Sequence, residues 1–369
     1  MSQAGGFGGF GGFGGFGGFG GFGGFGGFGG FGSANFSGLG PFLGAGADPV
    51  YDPALVQGLQ IAEQAIAHVT HGCPDPKGRQ APFSEAANMR FWADWVRSSV
   101  YLTDFLKDLD WHIDRQSEAV TLHYGSPSFL KLVRPAVETF KQQLGIMRQY
   151  LDQRPDRSSE VMTQLSFPTP YFAMVLGLQT NHRHVSELIA VVQLLASHVA
   201  MVAKHHLACR RPVHLGATVM PMIPTPAHGS FPSAHAAEAY AVAEIMGHFA
   251  AAHPKHFADV ERRRALLAKL AERIAVTRTV AGMHFPIDSW AGALLGKAVG
   301  QIVAGKCGLE VQVGSFAYDA IGSSDFFNSD FEKHDRKPFG IERQNNNFKV
   351  RSSPVFEWLW EQAGEELAR

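Results

Sequence analysis

Long runs with apolar residues at three- and four-residue spacing fill the chain from residue 49 onward. That period restricts the fold to packed helices. One run opens at Asp52-Pro53 and continues through His68. Ser84-Glu85 opens a second, reaching about Leu109, whose expected buried face holds Phe91, Trp92, Trp95, Val96 and Leu102. Further runs cover Ser128 to about Leu151, His182 to Arg210, Ser233 to His253, Ala258 to Val276 and Ile287 to Ala304. A last one, Pro354 to Leu367, carries Phe356, Trp358, Leu359 and Trp360, groups suited to docking on the core or on a second subunit. No alternating apolar stretch of strand length stands out. The expected fold is therefore all-α, a helical bundle with its site drawn from facing helices. Residues 49–307 read as the helical domain. Residues 308–369, rich in Asn, Asp, Ser and Phe, read as an irregular wrap of the same domain.

Residues 1–48 follow a different rule. From Gly5 the triplet Gly-Gly-Phe repeats nine times, ending at Phe31. Glycine-rich backbone is costly to order, so this segment is expected to be a disordered Gly/Phe-rich tail. Phe at every third position offers weak multivalent contacts; simple expansion of a tolerated tail explains it equally.

The formal net charge is −1, which gives no reason to expect nucleic acid as a partner. Three cysteines, Cys73, Cys209 and Cys307, are widely spaced without a CxxC, as in a reducing compartment. No signal peptide is evident. The most apolar stretch, Leu188 to Ala203, contains Gln193, Ser197 and His198 and falls short of the roughly 20 residues a span needs. The expectation is a cytoplasmic protein that does not span a membrane. Among the 17 histidines, Asn181-His182-Arg183-His184 and His205-His206 have spacings a zinc site can use, without a Cys or carboxylate pattern to complete it.

Three short segments carry the chemistry. Lys204 and Arg211 are seven residues apart and followed by Pro212, so both are expected on the last turns of one helix. Pro232-Ser233-Ala234-His235 precedes an alanine-rich run and reads as a helix start, whose N–H groups and dipole favour an anion. Thr277-Arg278 is followed by His284 and Asp288, an i, i+4 pair if a helix begins near Pro286. A carboxylate on one imidazole nitrogen fixes the tautomer and leaves the other nitrogen as nucleophile or ligand. Fixed cations, N–H donors and such a histidine are what a compact oxyanion requires. Each segment alone has an ordinary structural explanation; the ordered conjunction is what points to a site.

The patterns K-x6-R-P, P-S-x-H and [ST]-R-x5-H-x3-D, in this order, resemble the superfamily that joins type 2 phosphatidic-acid phosphatases, bacterial acid phosphatases and vanadium-dependent haloperoxidases. The resemblance covers roughly Lys204 to Asp288. It implies that His284 bonds the central phosphorus or vanadium, that Asp288 orients it, and that His235 is the acid–base group. Lys204, Arg211, Ser233, the Ala234 N–H and Arg278 would hold the oxygens. The family's usual glycine is Ala234 here, which puts close backbone approach in question, and Thr277 stands where Ser is usual. His228, seven residues before His235, looks like the second histidine of algal bromoperoxidases. On that ground the leading expectation is a vanadium-dependent haloperoxidase that takes hydrogen peroxide and bromide or iodide, with vanadate as cofactor and His284 as its ligand. The alternative is a phosphomonoesterase without a cofactor, using a phosphohistidine intermediate on a phosphate ester. A degenerate oxyanion-binding or scaffold protein is the third. Members of the family are often oligomeric, so a homo-oligomer is a further expectation.

Overall fold

The computed structural model describes residues 53–69 and 80–368. The Gly-Gly-Phe tail and Cys73 lie outside them, as do the side chains of Trp95, Asn345 and Asn346. The helices are α1 (Pro53–Val69), α2 (Asp94–Leu106), α3 (Val137–Arg148), α4 (Arg154–Thr163), α5 (Thr169–Leu176), α6 (Arg183–Leu207), α7 (Ala234–Ala252), α8 (Val260–Val280), α9 (Pro286–Lys306) and α10 (Pro354–Leu367).

The fold is not all-α. A mixed sheet of five strands flanks the helices: β1 (Leu109–Asp114), β2 (Ala119–Tyr124), β3 (Ser128–Val133), β4 (Gln312–Tyr318) and β5 (Ile341–Lys349). β1, β2 and β3 form an antiparallel meander, β4 joins β3 in parallel, and β5 pairs antiparallel with β4. The expected helix from Ser128 is thus a strand followed by α3. Pro135 separates them, because it can neither donate a helical hydrogen bond nor let the residue before it settle into helix. The segment after Gly308 is irregular only in part: it supplies β4 and β5 before the expected terminal helix, α10.

The run from Ser84 also divides, into a 3-10 turn at Ala86–Phe91 and α2. Its expected buried face is wrong in part. Phe91 and Trp92 are exposed, and Val96 and Leu102 are half-buried. α2 is anchored instead by a buried ion pair, Arg97 to Glu187 of α6 at 2.6 Å. On α10, Phe356 and Leu359 are fully buried and Trp358 nearly so, which settles that helix on the core.

The centre is α6, α7 and α9, each buried along most of its length. α6 is apolar and long enough, by length and composition, to cross a membrane, contrary to the expectation that the stretch is too short; 83% of its apolar window is buried inside the fold. α7 and α9 approach closely because α9 presents Gly292, Gly296 and Gly300 to its partner. A Cβ at Gly292 would stand 2.3 Å from the Ser233 carbonyl, and one at Gly296 would stand 2.2 Å from that of Ala237. This contact brings the N-termini of both helices together, and Ser233 N donates to Asp288 O at 2.8 Å. Gly296→Ala is therefore expected to destabilise the protein by about 1–3 kcal/mol, since neither backbone can yield without moving the other. A denaturation midpoint equal to wild type would show that the crossing is looser than this.

Candidate active site

α7 starts at Ser233, whose Oγ accepts from Ala236 N at 3.3 Å as N-cap. α9 starts after Phe285, with Asp288 in its first turn. The three sequence segments meet here. Arg211, His228, Ala234, His235, Arg278 and His284 line one cavity of about 80 Å³. That volume suits a small ion and a few waters. Lys204 and Ser233 are buried but do not line it.

His284 is placed by its neighbours. Its Nδ1 lies 3.0 Å from Asp288 Oδ2, a carboxylate oxygen that also accepts from Phe285 N at 3.0 Å and from Ser230 Oγ. A carboxylate accepts, so Nδ1 carries the proton and Nε2 keeps a lone pair. Arg211 Nη1, 3.0 Å away, donates to that lone pair and to the carbonyl of Met283. Burial, with Arg211 and Lys204 nearby, holds the His284 imidazole well below its ordinary range. Burial pushes the Asp288 carboxyl up to about 6, opposed by Ser230, Lys204, the Phe285 N–H and Arg211.

His235 stands across the cavity. Its Nε2 lies 3.0 Å from the Gln164 carbonyl and must donate to it, which leaves Nδ1 for proton transfer. Burial, with Arg278 beside it, depresses its pKa too. Arg278 is held by the Gln164 side chain and by the Val161 and Gln164 carbonyls. Lys204 donates to the Gly229 and Ser230 carbonyls, both at 2.8 Å, so one N–H of its three remains. Burial lowers all three cations, Arg211 and Arg278 to about 10. Asp288 is the hydrogen-bonded carboxylate acting on Lys204 and Arg211, and three buried cations leave the site short of negative charge.

Two expectations need correction. Lys204 and Arg211 do not share a helix: α6 stops at Ala208, which turns left-handed at φ 49°, and Arg211 caps the short turn Pro212–Leu215. Pro212 starts that turn rather than ending α6. Cys209, between the cations, is a buried packing residue, and burial pushes its thiol up to about 12. Outside the site, His184 pairs with Glu366 at 2.7 Å and His182 accepts from Gln179 N, while His205 meets His206 edge to face. Among the described residues no group of three metal-ligating side chains forms.

Sequence reasoning missed Ser230, Gln164 and the Met283 carbonyl. Ser230 lies between His228 and His235, but nothing in the sequence marks it as a partner of Asp288. Gln164 lies 71 positions before His235 and carries no local signal. His228 does line the cavity, and it is engaged with Arg211: its carbonyl accepts from Nε at 3.0 Å and its Nδ1 from Nη2 at 3.2 Å.

Because both histidines are buried neutral, the unfolded chain binds two more protons than the folded one below about pH 6.5. Asp288, whose folded pKa is raised, opposes with one proton between about pH 4 and 6. The sign for the histidines is loss of stability as pH falls, and two outweigh one. Stability is expected to drop on going from pH 7 to pH 5, by about 1 kcal/mol per pH unit for each depressed histidine before the Asp288 offset. Urea midpoints of wild type and His235→Asn check this; equal pH slopes in both would contradict it.

The chain belongs to the PAP2 superfamily, whose family profile matches residues 186–305. Two curated relatives, both decaprenylphosphoryl-5-phosphoribose phosphatases of Mycobacterium tuberculosis (strains CDC 1551 / Oshkosh and ATCC 25618 / H37Rv), are each 33% identical over 132 residues. Each match covers 36% of this chain and 67% of the relative. Members of this class are mostly phosphatases.

Proposed function

We propose that the chain is a phosphoric ester hydrolase working through a phosphohistidine at His284. The observation that carries this is the His284 Nε2 lone pair, oriented by Asp288 and aimed at a cavity ringed by Arg211 and Arg278 with His235 opposite. An entering phosphate takes the Arg211 Nη1–H on its oxygens, which uncovers Nε2. Nε2 attacks phosphorus, the bond from phosphorus to the ester oxygen breaks, and protonated His235 gives its proton to that oxygen. The dianionic substrate raises the His235 pKa, which supplies that protonated form. Water then attacks phosphorus, passes a proton to His235, and the N–P bond breaks to release inorganic phosphate.

The cavity admits the phosphoryl group, so the leaving group stays at its mouth. Leu165, Ile223, Pro224, Pro226 and Met283 complete its lining. These apolar walls favour an ester with an apolar flank, in keeping with the polyprenyl substrate named for the mycobacterial relatives.

The peroxidase expectation rested on His228 and on the lack of an evident membrane span or signal peptide; α6 is long and apolar enough to span, and the contacts of His228 with Arg211 give that residue another role, holding the arginine. Vanadate fits the same donors, with His284 Nε2 as its protein ligand, and would supply Lewis-acid activation of peroxide. A paired assay separates the readings. Hydrolysis of a chromogenic phosphate ester and peroxide-dependent oxidation of bromide and iodide are followed with and without orthovanadate. Hydrolysis that vanadate suppresses, without halide oxidation, is the expected result. Halide oxidation that vanadate switches on would overturn the proposal.

A further inference from the structure

Behind the cavity the helices bury polar atoms that hydrolysis leaves unused. Glu238, one turn along α7 from His235, is 1% exposed, and its Oε1 has no hydrogen-bond partner among the described residues. Ser197 Oγ on α6 and Arg278 Nε on α8 are buried and equally without one. Ser197 stands beside Glu238, and the charged groups that act on the carboxyl are Lys204 from α6 and Arg278 from α8. A buried carboxyl with one oxygen left unsatisfied among three packed helices is costly, and such groups persist where they do something.

Arg278 lines the cavity, and the Lys204 charge reaches the cavity histidines His235 and His284, so both cations act on an oxyanion held there. A carboxylate at Glu238 and an oxyanion in the cavity therefore draw on the same positive charge, and each weakens the hold on the other. We propose that Glu238 is a positioning residue whose proton is coupled to oxyanion binding: as the neutral acid it leaves Lys204 and Arg278 to the phosphate, and as the carboxylate it draws them back. The proposal rests on the oxyanion reading of the cavity. Burial, the largest influence on Glu238, favours the neutral acid and so shifts the folded protein toward the binding-competent form. Coupling is reciprocal, so phosphate binding must also raise the affinity of Glu238 for its proton.

The test is calorimetric titration with inorganic phosphate from pH 6 to pH 9, on the full chain and on Glu238→Gln. The ratio of the two dissociation constants cancels the titration of phosphate itself. Wild type and Glu238→Gln are expected to bind alike at the acid end. Wild type should weaken relative to the variant by about tenfold toward the alkaline end, a typical size for a coupling between neighbouring sites. Glu238→Met, also uncharged, should follow Glu238→Gln and keeps the test available if the amide disturbs folding. The pH dependence of KM should separate wild type from both variants in the same way, a change that simple loosening of the core would not produce. A ratio that stays constant across the range overturns the coupling while leaving the oxyanion cage intact. Absence of phosphate binding to wild type at every pH overturns the cage and the coupling together.

Discussion

His284→Ala is expected to lower phosphate ester turnover by a factor on the order of 10⁴ to 10⁶, the scale seen when a covalent nucleophile is removed and the rest of the site survives. The contacts that hold the site do not depend on this imidazole. Asp288 keeps Phe285 N and Ser230 Oγ, and Arg211 keeps the Met283 and His228 carbonyls. Phosphate affinity should therefore persist or tighten, because Arg211 Nη1 loses a competing acceptor. Single-turnover rates and phosphate titrations on the same preparation check both halves. Turnover above about one per cent of wild type would remove His284 from the nucleophile's role.

Asp288→Asn has the second largest expected effect, and the geometry sets its form. Asp288 Oδ2 accepts three hydrogen bonds, from His284, Ser230 and Phe285, whereas Oδ1 has no partner among the described residues. The asparagine will therefore place its oxygen at Oδ2 and its NH2 where Oδ1 stands. The His284 tautomer is retained, and what disappears is the negative charge that compensates the imidazole when it gives up its lone pair to phosphorus. Loss of one such electrostatic contribution costs about 10²–10³ in kcat. The buried NH2 without an acceptor adds about 1–3 kcal/mol of instability. Parallel kcat and thermal-melting measurements test the pair. A variant with wild-type kcat would mean that Asp288 serves only as the helix cap it also is.

Much of this site was legible in the chain because its groups sit at helix termini, where short-range rules apply. Ser233 as N-cap and Asp288 four residues after His284 follow from local spacing, and those two helix starts bring His235 and His284 to one cavity. Ala234 raised doubt about backbone approach, yet it is fully buried in the first turn of α7 and lines the cavity. Arg211 shows the opposite case. Seven-residue spacing from Lys204 is correct for one helical face, but a left-handed Ala208 ends the helix early, and side-chain period alone does not reveal that.

The sheet escaped for different reasons in different strands. Leu109-Asp110-Trp111-His112-Ile113-Asp114 does alternate strictly, but it follows directly on a helical run that ends near Leu109, and its apolar set is partly exposed, with Trp111 39% and Ile113 41% accessible. β5, Ile341–Lys349, is mostly polar and has no apolar alternation to read. Its pairing is fixed by β4, 23 or more residues upstream, through long-range contacts. The roles of Ser230 and Gln164 were hidden by the same kind of distance.

The most direct measurement is to trap the covalent intermediate. His235→Ala, given an ester with an activated leaving group that needs no proton, should still form the phosphoenzyme but lack the base for its hydrolysis. Acid-labile, base-stable phosphate should then accumulate on His284, located by peptide mass spectrometry after quenching under alkaline conditions. Stoichiometric label at His284, absent from the His284→Ala partner variant, is the predicted result. Undiminished turnover without label, or label on any other residue, would contradict a phosphohistidine mechanism in this cavity.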